Sequence, residues 1–213
     1  MRRDEQVGAT REALLTAAER LFAERGVYAV GNRQISEAAG QGNNTAVGYH
    51  FGTKADLIRA IARKHAEQIE RIRERMMNDI AGSTDPRDWV SCLVRPFTEH
   101  LESLGSPTWY ARFAAQVMAD PTLNEIMVDE ALTAAPILRS FRDGLTRCLP
   151  GLPAEIRHER AGMARHLVVQ TCVERERALA EGTPTLQPTW DDLATGLIDA
   201  IAGLWQAPVT QRP

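Results

Sequence analysis

The stretch Asn32-Arg33-Gln34-Ile35-Ser36-Glu37-Ala38-Ala39-Gly40-Gln41-Gly42-Asn43-Asn44-Thr45-Ala46-Val47-Gly48-Tyr49-His50-Phe51-Gly52-Thr53-Lys54 decides how this chain is read. Two short segments, each apolar on one side only, flank a glycine-bearing turn, which is the pattern of a helix-turn-helix. Ile35 and Ala38 are expected to pack against Val47 and Phe51, small Ala39 lets the helices approach, and Gly40 makes the turn. The outer face of the second segment is then left to Asn43, Asn44, Thr45, Tyr49 and His50. Asn can pair with an adenine edge, Thr can bond a base or pack on a thymine methyl, and Tyr and His can reach phosphate. Arg33 and Gln34 join these candidates from the first segment, and Lys54 offers phosphate both its charge and a helix N-terminus.

Outward from this motif, apolar residues recur at three- and four-residue spacing almost everywhere, and no sustained alternation marks a strand. The fold class is therefore all-α. A first helix is expected from Thr10 to Gly26, a second from Asn32 to Gly40, a third from Asn44 to His50, and a fourth from Thr53 for over twenty residues. Asp85-Pro86 caps a fifth that runs to Leu104 across Pro96. Residues 107–119 form a sixth, Asp120-Pro121 opens one bent or broken at Pro136, and two more follow at about 154–180 and 190–206, the latter capped by Thr189.

The pattern Leu-x-Ala-Ala-x-x-Leu-Phe-Ala-x-x-Gly over Leu15–Gly26, then Ile35–Gly40, then Tyr49-His50-Phe51-Gly52-Thr53-Lys54, resembles the TetR family of bacterial transcriptional regulators. The interval from Gly40 to Phe51 is one residue longer than the commonest family pattern, and Gly48 stands where an aromatic often sits. The resemblance covers about residues 10–60. It implies a DNA-binding domain over residues 1–52, joined by a long helix to an effector-binding and dimerisation domain over residues 53–213.

Composition is compatible with this reading. The chain has 213 residues, 44% hydrophobic and 25% charged, so collagen-like, low-complexity and disulfide-scaffold classes drop out. Net charge is only -3, but residues 1–75 carry 13 Lys and Arg against 10 Asp and Glu, while residues 76–213 carry 12 against 18. A basic front and an acidic rear suit different partners. No apolar run is long enough to span a membrane, and the charged start lacks an apolar signal core, so a cytoplasmic protein is expected. Cys92, Cys148 and Cys172 form no close pair and read as reduced core residues. No metal or cofactor is expected: Gly40-Gln41-Gly42 lacks the strand and the Gly-Lys-Ser/Thr of a phosphate loop, and His50, His65, His100, His158 and His166 lack zinc-ligand spacing.

For the rear, the resemblance implies a pocket for a small-molecule effector, largely apolar. The sequence offers Trp89, Phe97, Trp109, Tyr110, Phe113, Met118, Met163 and His166 as its lining, each also a candidate for ordinary core. The last helix carries Leu193, Leu197, Ile201 and Leu204 beside a strip of small residues, Gly196, Ala200 and Gly203. With Leu167 and Thr171 of the preceding helix, these are expected to form a four-helix homodimer interface. The expected function is a ligand-responsive repressor of a pseudo-palindromic double-stranded DNA operator. Its rivals are a helical small-molecule enzyme, for which no nucleophile, base and orienting residue assemble locally, and a helical adaptor that binds only proteins.

Overall fold

The computed structural model describes residues 2–43, 45–134 and 138–210, and side chains within these other than residues 2–4 and 131–142. Asn44 and Pro136, both singled out above, lie outside the described residues. The described residues contain ten helices and no strand: α1 (Arg2–Arg25), α2 (Asn32–Ala38), α3 (Ala46–Phe51), α4 (Lys54–Asp79), α5 (Pro86–Ser103), α6 (Tyr110–Met118), α7 (Pro121–Ala134), α8 (Leu138–Cys148), α9 (Ala154–Glu181) and α10 (Trp190–Gln206). No helix among them is long and apolar enough to cross a membrane.

Local chemistry explains most boundaries. Gly26, with φ of +86°, ends α1 in a conformation that costs other residues their Cβ clearance. The Asp85 carboxylate accepts from the Arg87 amide at 2.8 Å and Pro86 opens α5, while Thr189 and Asp192 cap α10 reciprocally. Two expectations shift. α1 starts near residue 2 rather than at Thr10, because nothing in Arg2–Ala9 stops a helix once Arg11–Arg25 nucleates it. α3, expected from Asn44 to His50, runs from Ala46 to Phe51 among the described residues, and just before it the Asn43 side chain accepts from the Thr45 amide at 2.9 Å.

The chain divides into two compact units, one comprising Met1–Ala66 with Pro107–Ala134, the other Glu67–Ser106 with Ala135–Pro213. In the first, Leu14, Leu15, Phe22, Ile35, Val47, Leu57, Ile58, Ile61 and Phe113 are buried, so α1, α2, α3, the start of α4 and α6 share one core. Phe22 stacks on Phe113, which stacks on Tyr110. The Tyr110 ring lies 3.7 Å from that of His65, whose Nε2 is 2.8 Å from the Glu19 carboxylate. Burial pushes the Tyr110 phenol far above its usual range, so it stays neutral. Glu130 on α7, 4% exposed, takes both Arg63 and Arg59 of α4, with Arg63 Nε at 2.9 Å.

In the second unit α10 packs along α5, burying Trp89, Val90, Cys92 and Val94 with Leu193, Leu197, Ile201 and Trp205. Gly144 of α8 faces the Trp89 ring so closely that a Cβ there would lie 2.1 Å from it. Two buried arginines serve main-chain oxygens that loops leave over: Arg160 donates to Trp205 O at 2.9 Å, and Arg175 donates to Gln187 O and Pro188 O while lying over Trp190.

Candidate nucleic-acid interface

Gly40 turns the chain between α2 and α3 with φ of +68°, and the Gln41 amide returns to Ser36 O at 2.8 Å. Ile35 and Val47 are fully buried under the pair and Ala46 nearly so, which orients α3 with its other face outward. Ala38 does not join them. It is exposed, and Phe51 is only half-buried, because α2 ends at Ala38 and its last residue lies beyond the packed stripe.

Tyr49 is 81% exposed and meets His50 edge-on at 5.1 Å between ring centres. Gly48, beside it, has open space where a Cβ would be, so the missing aromatic leaves a gap on the outer face. Thr45 is exposed, and its hydroxyl and amide both donate to Asn43 Oδ1, at 2.7 and 2.9 Å. Asn43 thus orders the entrance to α3, retaining its amide nitrogen for an outside partner, and Thr45 retains its lone pairs. Gln34 Oε1 accepts from the Gly31 amide at 2.8 Å and so caps α2. Arg33 is exposed but paired with Glu37 at 2.7 Å.

Lys54 departs from its expected role as a free phosphate contact. Its ammonium donates to Val27 O at 3.1 Å and Val30 O at 2.8 Å, stapling the turn that precedes α2. The first turn of α4 brings the amine to carbonyls that no helix serves, and a cation partly withdrawn from water keeps such partners. Thr53 and Asp56 cap α4: the Thr53 hydroxyl donates to Asp56 Oδ2 at 2.6 Å and accepts from the Asp56 amide at 3.1 Å. Those bonds from the Thr53 hydroxyl and amide hold the Asp56 carboxyl below its usual range, against the opposing effect of burial and with a further contribution from Arg59. Sequence spacing could not reveal Arg11 of α1, whose guanidinium lies over the Phe51 ring at 5.0 Å.

The residues expected to line an effector pocket are divided between the units. Trp109, Tyr110, Phe113 and Met118 belong to the first, and Trp89, Phe97, Met163 and His166 to the second. Tyr110 and Phe113 are stacked core, Trp89 is 3% exposed against Gly144, and Met163 and His166 face outward. Phe97, Trp109 and Met118 are half-buried. A surface cavity of about 510 Å³ in the first unit is lined by Ala13, Ala17, Arg20, Ala38, Ala39 and Trp109 among others. Of the expected lining residues, Trp109 alone borders that cavity.

Among the interface candidates, Leu193, Leu197 and Ile201 are 4%, 4% and 0% exposed within the single chain, so they belong to the packing of α10 on α5 rather than to a contact with a second copy. A stripe of large apolar residues on a helix faces whichever neighbour is nearest, and here α5 supplies it. Gly196, Ala200 and Gly203 are exposed, as are Met163 and Leu167, with Thr171 and Leu204 half-buried.

A family model described as "Bacterial regulatory proteins, tetR family" matches residues 14–61, and one described as "Tetracyclin repressor-like, C-terminal domain" matches residues 91–203. No curated protein matches. Among solved structures, a putative TetR-family transcriptional regulator from Rhodococcus sp. is similar with a TM-score of 0.53 at 15% identity, over 93% of this chain and 100% of that one. A TetR-family regulator from Streptomyces coelicolor A3 has a TM-score of 0.49 at 22% identity, over 94% and 96%.

Proposed function

We propose that this chain, which belongs to the tetR family of bacterial regulatory proteins, is a cytoplasmic transcriptional repressor rather than an enzyme, binding a pseudo-palindromic operator as a homodimer. The observation that carries the reading is α3 itself: Val47 is fully buried beneath it while Tyr49 is 81% exposed on its outside, immediately after the Gly40 turn. A helix anchored on one side and polar on the other can enter a major groove.

The exposed face of α9 with Met163, Leu167 and Thr171, and the small-residue face of α10 with Gly196, Ala200 and Gly203, support pairing with their two-fold copies. Small residues allow close helix approach, and Met163, Leu167, Gly196, Ala200 and Gly203 are exposed among the described residues. A two-fold dimer places two α3 helices about one duplex turn apart, so the operator reads as an inverted repeat. The effector is a small, largely apolar molecule, for which the half-buried Trp109 and Met118 of the first unit are candidate contacts. It relieves repression by favouring a state in which the two reading helices are wrongly spaced, with α4 as the lever.

Selection of duplexes from a random library, followed by fluorescence anisotropy, tests this reading. The expected result is an inverted repeat bound by two chains per duplex. Equal affinity for every sequence, or one chain per site at saturation, would overturn it.

A further inference from the structure

The proposed duplex-binding surface is short of positive charge. α3 contains no lysine or arginine, and between Asn32 and Lys54 the basic residues are only those two ends of the motif, Arg33 and Lys54. Arg33 is paired with Glu37, and the Lys54 ammonium is held by Val27 O and Val30 O. Arg59 and Arg63 are bound to Glu130, and Lys64 is bound to Glu12. A duplex presents about one negative charge per 1.7 Å of its axis, so a reading helix without cations needs them from a neighbouring element.

Resting on the DNA-binding reading above, we infer that Arg11 of α1 is a phosphate-contacting residue of that surface, seated there by the ring of Phe51. Its guanidinium lies 5.0 Å from the centre of that ring, at the last residue of α3. Phe51 is 6.3 Å from His50, which is 5.1 Å from Tyr49, so the guanidinium ends a continuous strip of rings along α3. Arg11 is exposed, and no ion pair among the described residues involves it. The neighbouring Glu12 carboxylate is already taken by Lys64. A guanidinium drawn over a ring by its charge still has its five N–H donors, two of which can meet one phosphate together. The aromatic seat therefore orients the cation without consuming its hydrogen bonds. Lysine, a compact charge without a planar face, would keep the attraction and lose the orientation.

The test is the salt dependence of binding by the full-length protein to its selected duplex and to a random-sequence duplex of equal length, between about 50 and about 200 mM KCl. For Arg11→Gln the slope of log affinity against log salt is expected to fall by roughly 0.9 per chain, as for one lost phosphate contact. Affinity for both duplexes drops in parallel and thermal stability is unchanged. Arg11→Lys keeps most of the slope at lower affinity. Arg71→Gln, which removes the same charge from an exposed site on α4, leaves the slope alone. An unchanged slope in Arg11→Gln, or an equal fall in Arg71→Gln, overturns the inference while leaving the DNA-binding reading intact. Failure of the wild-type protein to bind either duplex sinks both.

Discussion

The guanidinium of Arg73 donates to the main-chain oxygen of Cys92 at 2.6 Å. That oxygen belongs to the residue four before Pro96, whose ring nitrogen has no hydrogen to give it. The arginine of α4 thus replaces the helical donor that the proline of α5 lacks, and α5 continues unbroken from Pro86 to Ser103. Arg73 is 7% exposed and is also paired with Glu70 at 2.9 Å, so the charge is not left alone in the interior.

This relationship predicts a thermodynamic coupling. Arg73→Met should destabilise the protein by about 3 kcal/mol, since it strands a carboxylate and a carbonyl together. Pro96→Ala restores an amide that can reach Cys92 O. In the double variant part of the loss, about 1 kcal/mol, should therefore return. Urea unfolding of the two single variants and the double variant completes the cycle. Strict additivity would show that the arginine does not stand in for the missing amide.

Lys54→Met should act on folding more than on DNA. Two partly buried carbonyls lose a charged donor, which costs about 1–3 kcal/mol. The salt slope of duplex binding should stay at its wild-type value. A fall of roughly 0.9 in that slope with unaltered stability would mean that the ammonium leaves Val27 and Val30 for phosphate.

Gly48→Ala should stabilise the protein by up to about 1 kcal/mol, because glycine in a helix interior is less favourable than alanine and the added Cβ meets nothing. Thermal denaturation measures the gain. A stability loss would show that α3 relies on the freedom of that glycine.

Acid should weaken the first unit through two lowered carboxylates. Asp56 is held down by the Thr53 hydroxyl and amide, and Asp120 chiefly by the Leu123 amide and then the Tyr28 hydroxyl. A carboxyl whose folded value lies below its unfolded one stabilises the fold above the ordinary carboxylate range and loses that contribution as pH falls through the folded value. The melting temperature should therefore decline below about pH 4. Asp56→Asn should start lower at neutral pH and decline less steeply. An identical decline in wild type and variant would remove Asp56 from the account.

How far the residues announced themselves depended on the reach of their side chains. Val47 and Ile35 were legible as core because a helix repeats its inward positions every three or four residues. Leu193, Leu197 and Ile201 were legible as a stripe, yet periodicity is silent about the neighbour, and that neighbour is α5. Asn43 and Gln34 carry groups equally able to read a base or cap a helix, and local backbone amides claimed their oxygens.

The amino-acid sequence by itself determined the helical class, the caps at Asp85 and Thr189 and the left-handed turns at Gly26 and Gly40, because each depends on interactions within a few residues. It also carried the helix-turn-helix and, through Leu15–Gly26 and Tyr49–Lys54, the family resemblance. Tertiary structure decided what the long charged side chains do. Lys54 reaches back 24 and 27 residues to carbonyls left open by a turn, Arg73 reaches a carbonyl opened by a proline, and Arg11 settles on a ring at the end of α3. Such side chains take whichever unsatisfied group folding brings within a few ångströms, and no spacing along the chain encodes that proximity.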